Sequence, residues 1–495
     1  MNRLKEAVMV QRDVRYFSGP VPLLLLAAVI LASFLASSGP IQWMDNGMFL
    51  ADATTGHFFA QSLGPLDHPL YQFFSTGLYQ LFHSSQLLSL MNSMLLIPIA
   101  GSIYWLSRSV GATRNLALLA AAATITAHAV FWISTKAEVY IFHMLFVLLA
   151  YAVGFDQRLK MGDYTRLALI GLLTGMAGSV HQLTFIVLLP LYAHLLLQYR
   201  LRTLMTIPAF AVGFFSAYPG ILNDLQAGMN LEQIFRHYLT GAAPNKVDVN
   251  WEGSMFRFDE MWHEKNSVMI LLLSLMGPQL LGLVIMPKDS KQRILWAALL
   301  LNCLFALPYN VTDRFTFFLP GVAFAAILGV MRFKELLPQS RGGASLLNLS
   351  VFTCPAALLL AWVAYDAGVV KLPVHTEALP YRNDIHYFMV PYLRDRSAQQ
   401  FVEQYEVTAP AGAMIVSDWT PSGALRSAQA AGRLQGRTLV SCETNDDMSG
   451  YVHGAGAFLP RTSYCEKVLA KYALDKREVG FQLQDKDKPV VVQVP

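Results

Sequence analysis

Three acidic side chains and one arginine stand at the ends of long apolar runs in this sequence: Asp45, Glu138, Asp313 and Arg314. Asp45 lies in WMDNGMF, directly after the first run. The stretch from Met44 to Phe74 around it holds Asp45, Asp52, His57, Asp67 and His68, and no lysine or arginine. A carboxylate at an apolar boundary with no resident cation tends to a raised pKa and can act as a general base; a solvated loop aspartate is the plainer alternative. In DHPLYQFF, His68 can donate to a phosphate or orient a carboxylate, or merely cap the helix that Pro69 begins. Tyr71, Phe73 and Phe74 suit a helix lying in the membrane interface. In STKAEVYIFH, Lys136 and Glu138 are either a snorkelling pair or the means by which Glu138 joins the space of Asp45. In YNVTDRFTFFLP, Asp313 and Arg314 form a surface pair or offer a guanidinium to the phosphate of a lipid carrier. Asp45, Asp52, His57, Asp67 and His68 are hard-ligand types, but their spacing closes no metal site. No metal or other cofactor is expected.

The elements that position these residues follow from hydropathy. Of the 495 residues 54% are hydrophobic and only 14% charged, with mean hydropathy +0.40; soluble domains carry about 25% charged residues. This is the composition of a polytopic α-helical membrane protein. Runs near the ~20 residues a span needs occur at 21–39, 86–107, 115–134, 139–155, 203–222, 267–287, 294–309, 315–331 and 346–366. Leu167–Leu197 is too long for one span, and GMAGSVHQ interrupts it, so it reads as a helical hairpin with His181 at its tip. That makes eleven crossings. With the N-terminus cytoplasmic, the inner segments carry seventeen Lys and Arg residues. The outer ones hold Lys136, Arg236, Lys246, Arg257, Lys265 and Arg314, in keeping with the positive-inside rule. The first run reads as a retained anchor rather than a cleaved signal.

The expected organisation is a transmembrane unit over 1–367, with outer loops 40–85 and 223–266, and a small extracytoplasmic α/β domain over 368–495. In the latter, AGAMIVSDW, PSGALRSAQAAGRL and GRTLVSC read as strand, helix and strand, and KPVVVQV as a further strand. Cys303 and Cys354 read as core residues; Cys442 and Cys465 can pair outside the cytoplasm. The spans hold no interior Asp, Glu, Lys or Arg, only histidines such as His128, His143, His181 and His194. Ion-coupled transporters need charges at mid-membrane depth, so transport is disfavoured. The net charge of +4 is spread over short loops and implies no nucleic-acid partner. Charges gathered at the outer ends of spans suit chemistry at the membrane surface on a substrate whose tail stays in lipid.

Several islands carry a resemblance. Asp45 and Gly47 are followed by His68-Pro69-Leu70-Tyr71. Phe131-Trp132 is followed by Ala137-Glu138-Val139-Tyr140. Gly171, Gly175 and Gly178 run into His181. With DRFTFFLP (Asp313–Pro320) and PAGAMIVSDWTPSG (Pro410–Gly423), they make the chain resemble the GT-C class of membrane glycosyltransferases, and within it the bacterial protein O-mannosyltransferase-like family. It departs from that pattern where Met48 and Phe49 follow Gly47 without a second acid, a role Asp52 or Asp67 would take, and in a shortened His-Pro element. The resemblance implies a polyprenyl-phosphate sugar as donor, a hydroxyl acceptor on a protein, lipid or glycan, and inverting transfer at the periplasmic face of a bacterial inner membrane. It implies Asp45 as base, Glu138 on acceptor or sugar hydroxyls, and His68, Tyr71, His181, Arg236 and Arg314 around the donor phosphate and sugar. The competing readings are a polymerase or ligase of lipid-linked glycans, a transporter or flippase, and a membrane-tethered sensor whose tail is the working part.

Overall fold

The computed structural model describes residues 21–242, 251–259, 261, 265–311, 313–338, 340–369, 379, 382, 387–388, 396–442, 455–460, 465, 482–485, 488–490 and 493–494. Helices form along every apolar run, and each of the eleven expected crossings coincides with one helix or a broken series of helices. Val21–Leu35, Gln86–Ser109, Tyr140–Phe155 and Ser290–Ala306 are unbroken. The run 115–134 is a pair, Arg114–Ile125 and His128–Ser134, bent by 67°. Likewise 267–287 divides into Lys265–Leu273 and Pro278–Val284 around Gly277, whose φ of +97° few other residues tolerate. By length and composition alone, three helices among the described residues can each cross a membrane, and five if each of two bent pairs counts as one span. Breaks of this kind are tolerated at membrane depth where neighbouring protein satisfies the freed backbone groups.

The segment Leu167–Leu197 is a hairpin, and its glycines explain how. Asp163–Val180 packs against Thr206–Gly213 so closely that a Cβ on Gly171 would strike the Thr206 carbonyl, and one on Gly175 the Phe210 carbonyl. These contacts advance in the same sense along both helices, which therefore run parallel. The chain between them must travel back, and Leu189–Tyr199 makes that return. His181 caps the outgoing helix at the bend.

Burial divides the helices. In the most apolar stretch of Arg314–Leu336 94% of the residues are buried, and this helix forms the centre of the bundle, whereas in that of Gly342–Asp366 17% are, and the helix presents Leu359, Leu360 and Val363 outward. Exposed apolar faces of this extent suit a lipid environment. The segments 40–85 and 223–266 add helices Met44–Thr54, Pro69–Phe82 and Leu231–Thr240.

Toward the C-terminus the chain builds a small α/β unit. Strand β1 (Met414–Ser417) pairs in parallel with β2 (Thr438–Ser441), in register from Met414 with Thr438 to Ser417 with Ser441, and with β3 (Ala457–Phe458) on its other side. Helix Trp419–Ala430 connects β1 to β2, the βαβ unit expected from the sequence. Strands β4 (Gln482–Asp485) and β5 (Lys488–Val490) form a separate antiparallel hairpin, and β6 (Gln493–Val494) pairs antiparallel with β3. The strand expected over KPVVVQV is thus divided between two sheets. Cys442 and Cys465 are joined by a disulfide.

Candidate active site

The αβ unit docks on the first loop, helix against helix. Helix Met44–Thr54 and helix Trp419–Ala430 touch through glycines. A Cβ on Gly47 would collide with the carbonyls of Gln42 and Gly423, and one on Gly423 with that of Met44. Trp43 Nε1 donates to Ser397 Oγ at 2.8 Å, and the Gln42 N–H to Ser427 Oγ at 3.3 Å. Met44 takes a left-handed φ of 55°, a strained conformation for a side chain of this size, costing about 1–3 kcal/mol where surrounding structure enforces it.

This docking sets the environment of Asp45. The carboxylate occupies the first turn of its helix and accepts a hydrogen bond from Trp419 Nε1. Trp419 leaves the carboxyl end of β1 just after Asp418, whose side chain caps the helix by accepting from the Thr420 N–H at 3.1 Å. Ligand-facing residues commonly gather at the carboxyl ends of parallel strands. Burial raises the Asp45 pKa, opposed by the Trp419 hydrogen bond.

Glu138 lies behind Asp45. It is 4% exposed and accepts from Asn46 Nδ2 at 2.6 Å and from the Val139 N–H at 3.0 Å. Asn46 in turn accepts from the Tyr387 hydroxyl at 3.1 Å. Burial pushes the Glu138 pKa well up, and the charge of Asp45 adds to it. Asp313 completes the group: burial, then Asp45, raise it to about 7, against the pull of Arg314 and Arg382. The charge of Asp45 thus raises both of the other carboxyls, and ionisation of one disfavours ionisation of the rest.

The cations stand around this group rather than in the first loop. Lys136, 4% exposed, does not snorkel; its ammonium lies 4.8 Å from the Trp132 ring and 4.6 Å from the Tyr387 ring. Arg382 lies over Tyr387, Phe388 and Trp43 at 4.4, 5.5 and 5.7 Å. Arg314 is fully buried, so it forms no surface pair. It donates to the carbonyls of Leu307 at 2.8 Å and Val311 at 3.2 Å and to Asn310 Oδ1 at 3.2 Å, bracing the turn that carries Asp313.

The histidines form a second group. The rings of His68 and His181 stack with centroids 5.5 Å apart, and Tyr140 and Phe317 pack on His181 at 5.1 and 5.5 Å. His68 Nδ1 lies 2.7 Å from the Val180 carbonyl and so carries its proton. His181 Nδ1 accepts from the Leu183 N–H at 3.0 Å, which leaves the proton on Nε2. One ring therefore presents a bare Nε2 and the other an Nε2–H, and among the described residues neither atom has a partner. Burial lowers the His68 pKa to about 4. Tyr71 lies beside them, its buried hydroxyl unpaired among the described residues and within the field of Glu138. Arg236 projects from the exposed side of helix Leu231–Thr240, apart from this packing. The described residues contain no cluster of three or more His, Cys, Asp or Glu able to hold a metal ion.

The structure thus gathers Asp45, Glu138 and Asp313 in one group and His68 and His181 in another, with Tyr71 between them. Sequence reasoning missed Asn46, Arg382, Tyr387 and Trp419, and considered Lys136 only as half of a snorkelling pair. For Trp419 a signal existed in SDWTPSG, where an aspartate cap follows a strand. Arg382 and Tyr387 lie in a stretch without periodicity and offered none.

No protein-family model matches this sequence, and no curated protein does. Solved structures do. ArnT from Cupriavidus metallidurans bound to undecaprenyl phosphate superposes with a TM-score of 0.56 at 11% identity, over 96% of this chain and 98% of its own. The apo state of the same protein gives 0.57 at 12% identity, over 95% and 97%. An oligosaccharyltransferase from Archaeoglobus fulgidus aligns more loosely, at 0.44 and 13% identity over 92% of this chain and 69% of its own. The likeness to ArnT spans both chains nearly end to end at low identity, and what it establishes is architecture: this chain has the fold of the GT-C membrane glycosyltransferases.

Proposed function

We propose that the protein transfers a sugar from a polyprenyl-phosphate donor to a hydroxyl acceptor at the outer surface of a bacterial inner membrane. The observation that carries this reading is the buried group of Asp45, Glu138 and Asp313, fringed by cations from other segments. Asp45 takes the proton of the acceptor hydroxyl. The acceptor oxygen attacks the anomeric carbon, the bond from that carbon to the phosphate oxygen breaks, and polyprenyl phosphate leaves with the electron pair. A phosphate leaving group needs no general acid but does need its developing charge met by fixed positive groups and donors.

His181 Nε2–H and the unpaired Tyr71 hydroxyl supply donors, His68 Nε2 accepts from a sugar hydroxyl, and Arg382, Arg314 and Lys136 supply the field. Arg236, exposed on the outer loop, is assigned to the approach of the anionic donor. Glu138 holds Asn46 and through it the helix of Asp45. Attack opposite the leaving group inverts the anomeric carbon. Undecaprenyl phosphate is the candidate lipid, since ArnT binds it within the same fold. The Cys442–Cys465 disulfide fits a periplasmic C-terminal unit. Trp419 makes that unit part of the site, fixing one Asp45 oxygen so that the other faces the acceptor. The test supplies lipid-reconstituted protein with a panel of polyprenyl-phosphate monosaccharides and follows free polyprenyl phosphate. Release from one donor only is the expected result, and no release from any donor rejects the reading.

A further inference from the structure

At the far end of helix Asp163–Val180 from His181, ~27 Å away for 18 residues at 1.5 Å each, lies a cavity of about 670 Å³. It is lined by Asp163, Gln198, Tyr199, Arg200, Leu201 and Arg202. Arg200 makes the turn between the returning helix Leu189–Tyr199 and the next ascending one, with φ 53° and ψ −132°. That lies outside even the left-handed helical region and is a conformation glycine serves better. Backbone strain of this kind persists where function requires a particular side chain. The Arg200 guanidinium makes no hydrogen bond or ion pair among the described residues. Among the described residues Arg202 is held only by an exposed pair with Asp163 at 3.2 Å, its side chain 59% exposed, and lies 6.0 Å from the Tyr164 ring. Such a pair contributes ~0–1 kcal/mol, so Arg202 loses little by turning to another anion.

The rim of the cavity identifies the ligand class. Leu201, which lines the cavity, is 82% exposed, and Leu197 and Leu204, nearby along the chain, are 84% and 56% exposed. A soluble anion would leave this apolar surface uncovered. A ligand with a phosphate head and acyl chains satisfies the guanidinium groups and covers the leucines together. We propose that Arg200 and Arg202 form a binding site for the phosphate headgroup of an anionic membrane lipid, at the end of the bundle opposite the carboxylates.

The test reconstitutes the full chain in phosphatidylcholine discs containing phosphatidylglycerol and counts retained lipids by native mass spectrometry. Arg200→Gly is the informative variant, because glycine suits the backbone and the protein should unfold at no lower temperature than wild type. The site predicts about fivefold less retained phosphatidylglycerol in Arg200→Gly, the worth of one arginine at a charged leaflet, with phosphatidylcholine unchanged. A further fall is expected in Arg200→Gly/Arg202→Gln. Equal retention by wild type and both variants would overturn the site. Displacement of the lipid by excess inorganic phosphate, with no preference between the two, would assign the cavity to soluble phosphate and overturn the lipid reading.

Discussion

The carboxylate group and the histidine group lie side by side, both buried, and burial acts on them with opposite consequences. It favours the neutral form of either. For Asp45, Glu138 and Asp313 this means raised pKa values; the charge of Asp45, whose ionised form the Trp419 hydrogen bond favours, raises the other two further and leaves Asp313 at about 7, poised to change charge in the physiological range. For His68, at about 4, it means a ring already neutral at any pH where the protein works. His181 is neutral too, because its Nδ1 accepts a backbone N–H. One group is built to exchange a proton; the other is built to hold hydrogen-bond polarity fixed. The difference teaches that the pH dependence of the site belongs to its acids and its substrate recognition to its histidines.

The sharpest break of this comparison is Asp45→Asn. Removing a general base costs about 10²–10⁴-fold in rate, and the loss should appear in kcat with donor affinity kept. Glu138→Gln comes next, because both carboxylate oxygens accept, one from Asn46 Nδ2 and one from the Val139 N–H, and an amide must set its NH2 against one of these donors. A drop of about tenfold, the worth of one charge-assisted hydrogen bond, is expected. Trp419→Phe should cost about the same. It should also move the acid limb of the pH–rate profile upward, since the indole hydrogen bond holds the Asp45 pKa down; a purely structural loss would lower the rate at all pH values alike. His68→Gln and His181→Gln should raise KM by about three- to tenfold, the range of one neutral hydrogen bond, and leave the limb where it was.

The smallest effect is on stability. Asp313 prefers its proton when folded, so its contribution is whole below about 3.8 and lost as pH rises through about 7. His68 prefers to be neutral when folded, so its contribution is whole above about 6.5 and lost as pH falls through about 4. The two offset each other in the wild type. In Asp313→Asn the unfolding midpoint should rise with pH between about 4 and 6.5 more steeply than in the wild type; in His68→Gln it should rise less or fall.

The spans, the hairpin at His181 and the βαβ unit were legible because hydropathy and periodicity are local properties of the chain. The broken spans were less so. Nothing in the run 115–134 announces a 67° bend, which packing against neighbouring helices imposes. At the site, Asp45 and Glu138 stood out because charges at the edge of apolar runs are costly to place. Trp419, Tyr387 and Arg382 reach the same space from more than 300 residues away along the sequence, as the contacts Trp419–Asp45, Tyr387–Asn46 and Arg382–Met44 show. Such contacts follow from tertiary docking through Gly47 and Gly423, which no single stretch encodes. Arg314 shows the converse: its position suggested an open phosphate ligand, whereas its donors are turned to backbone carbonyls.

The most direct measurement is single-turnover transfer from a polyprenyl-phosphate sugar in reconstituted protein, with Asp45→Asn beside wild type and donor binding measured on both. The account predicts at least a hundredfold loss of transfer in the variant, the lower end for a missing general base, with donor affinity within about threefold and the fold intact. Transfer by Asp45→Asn at the wild-type rate would contradict it.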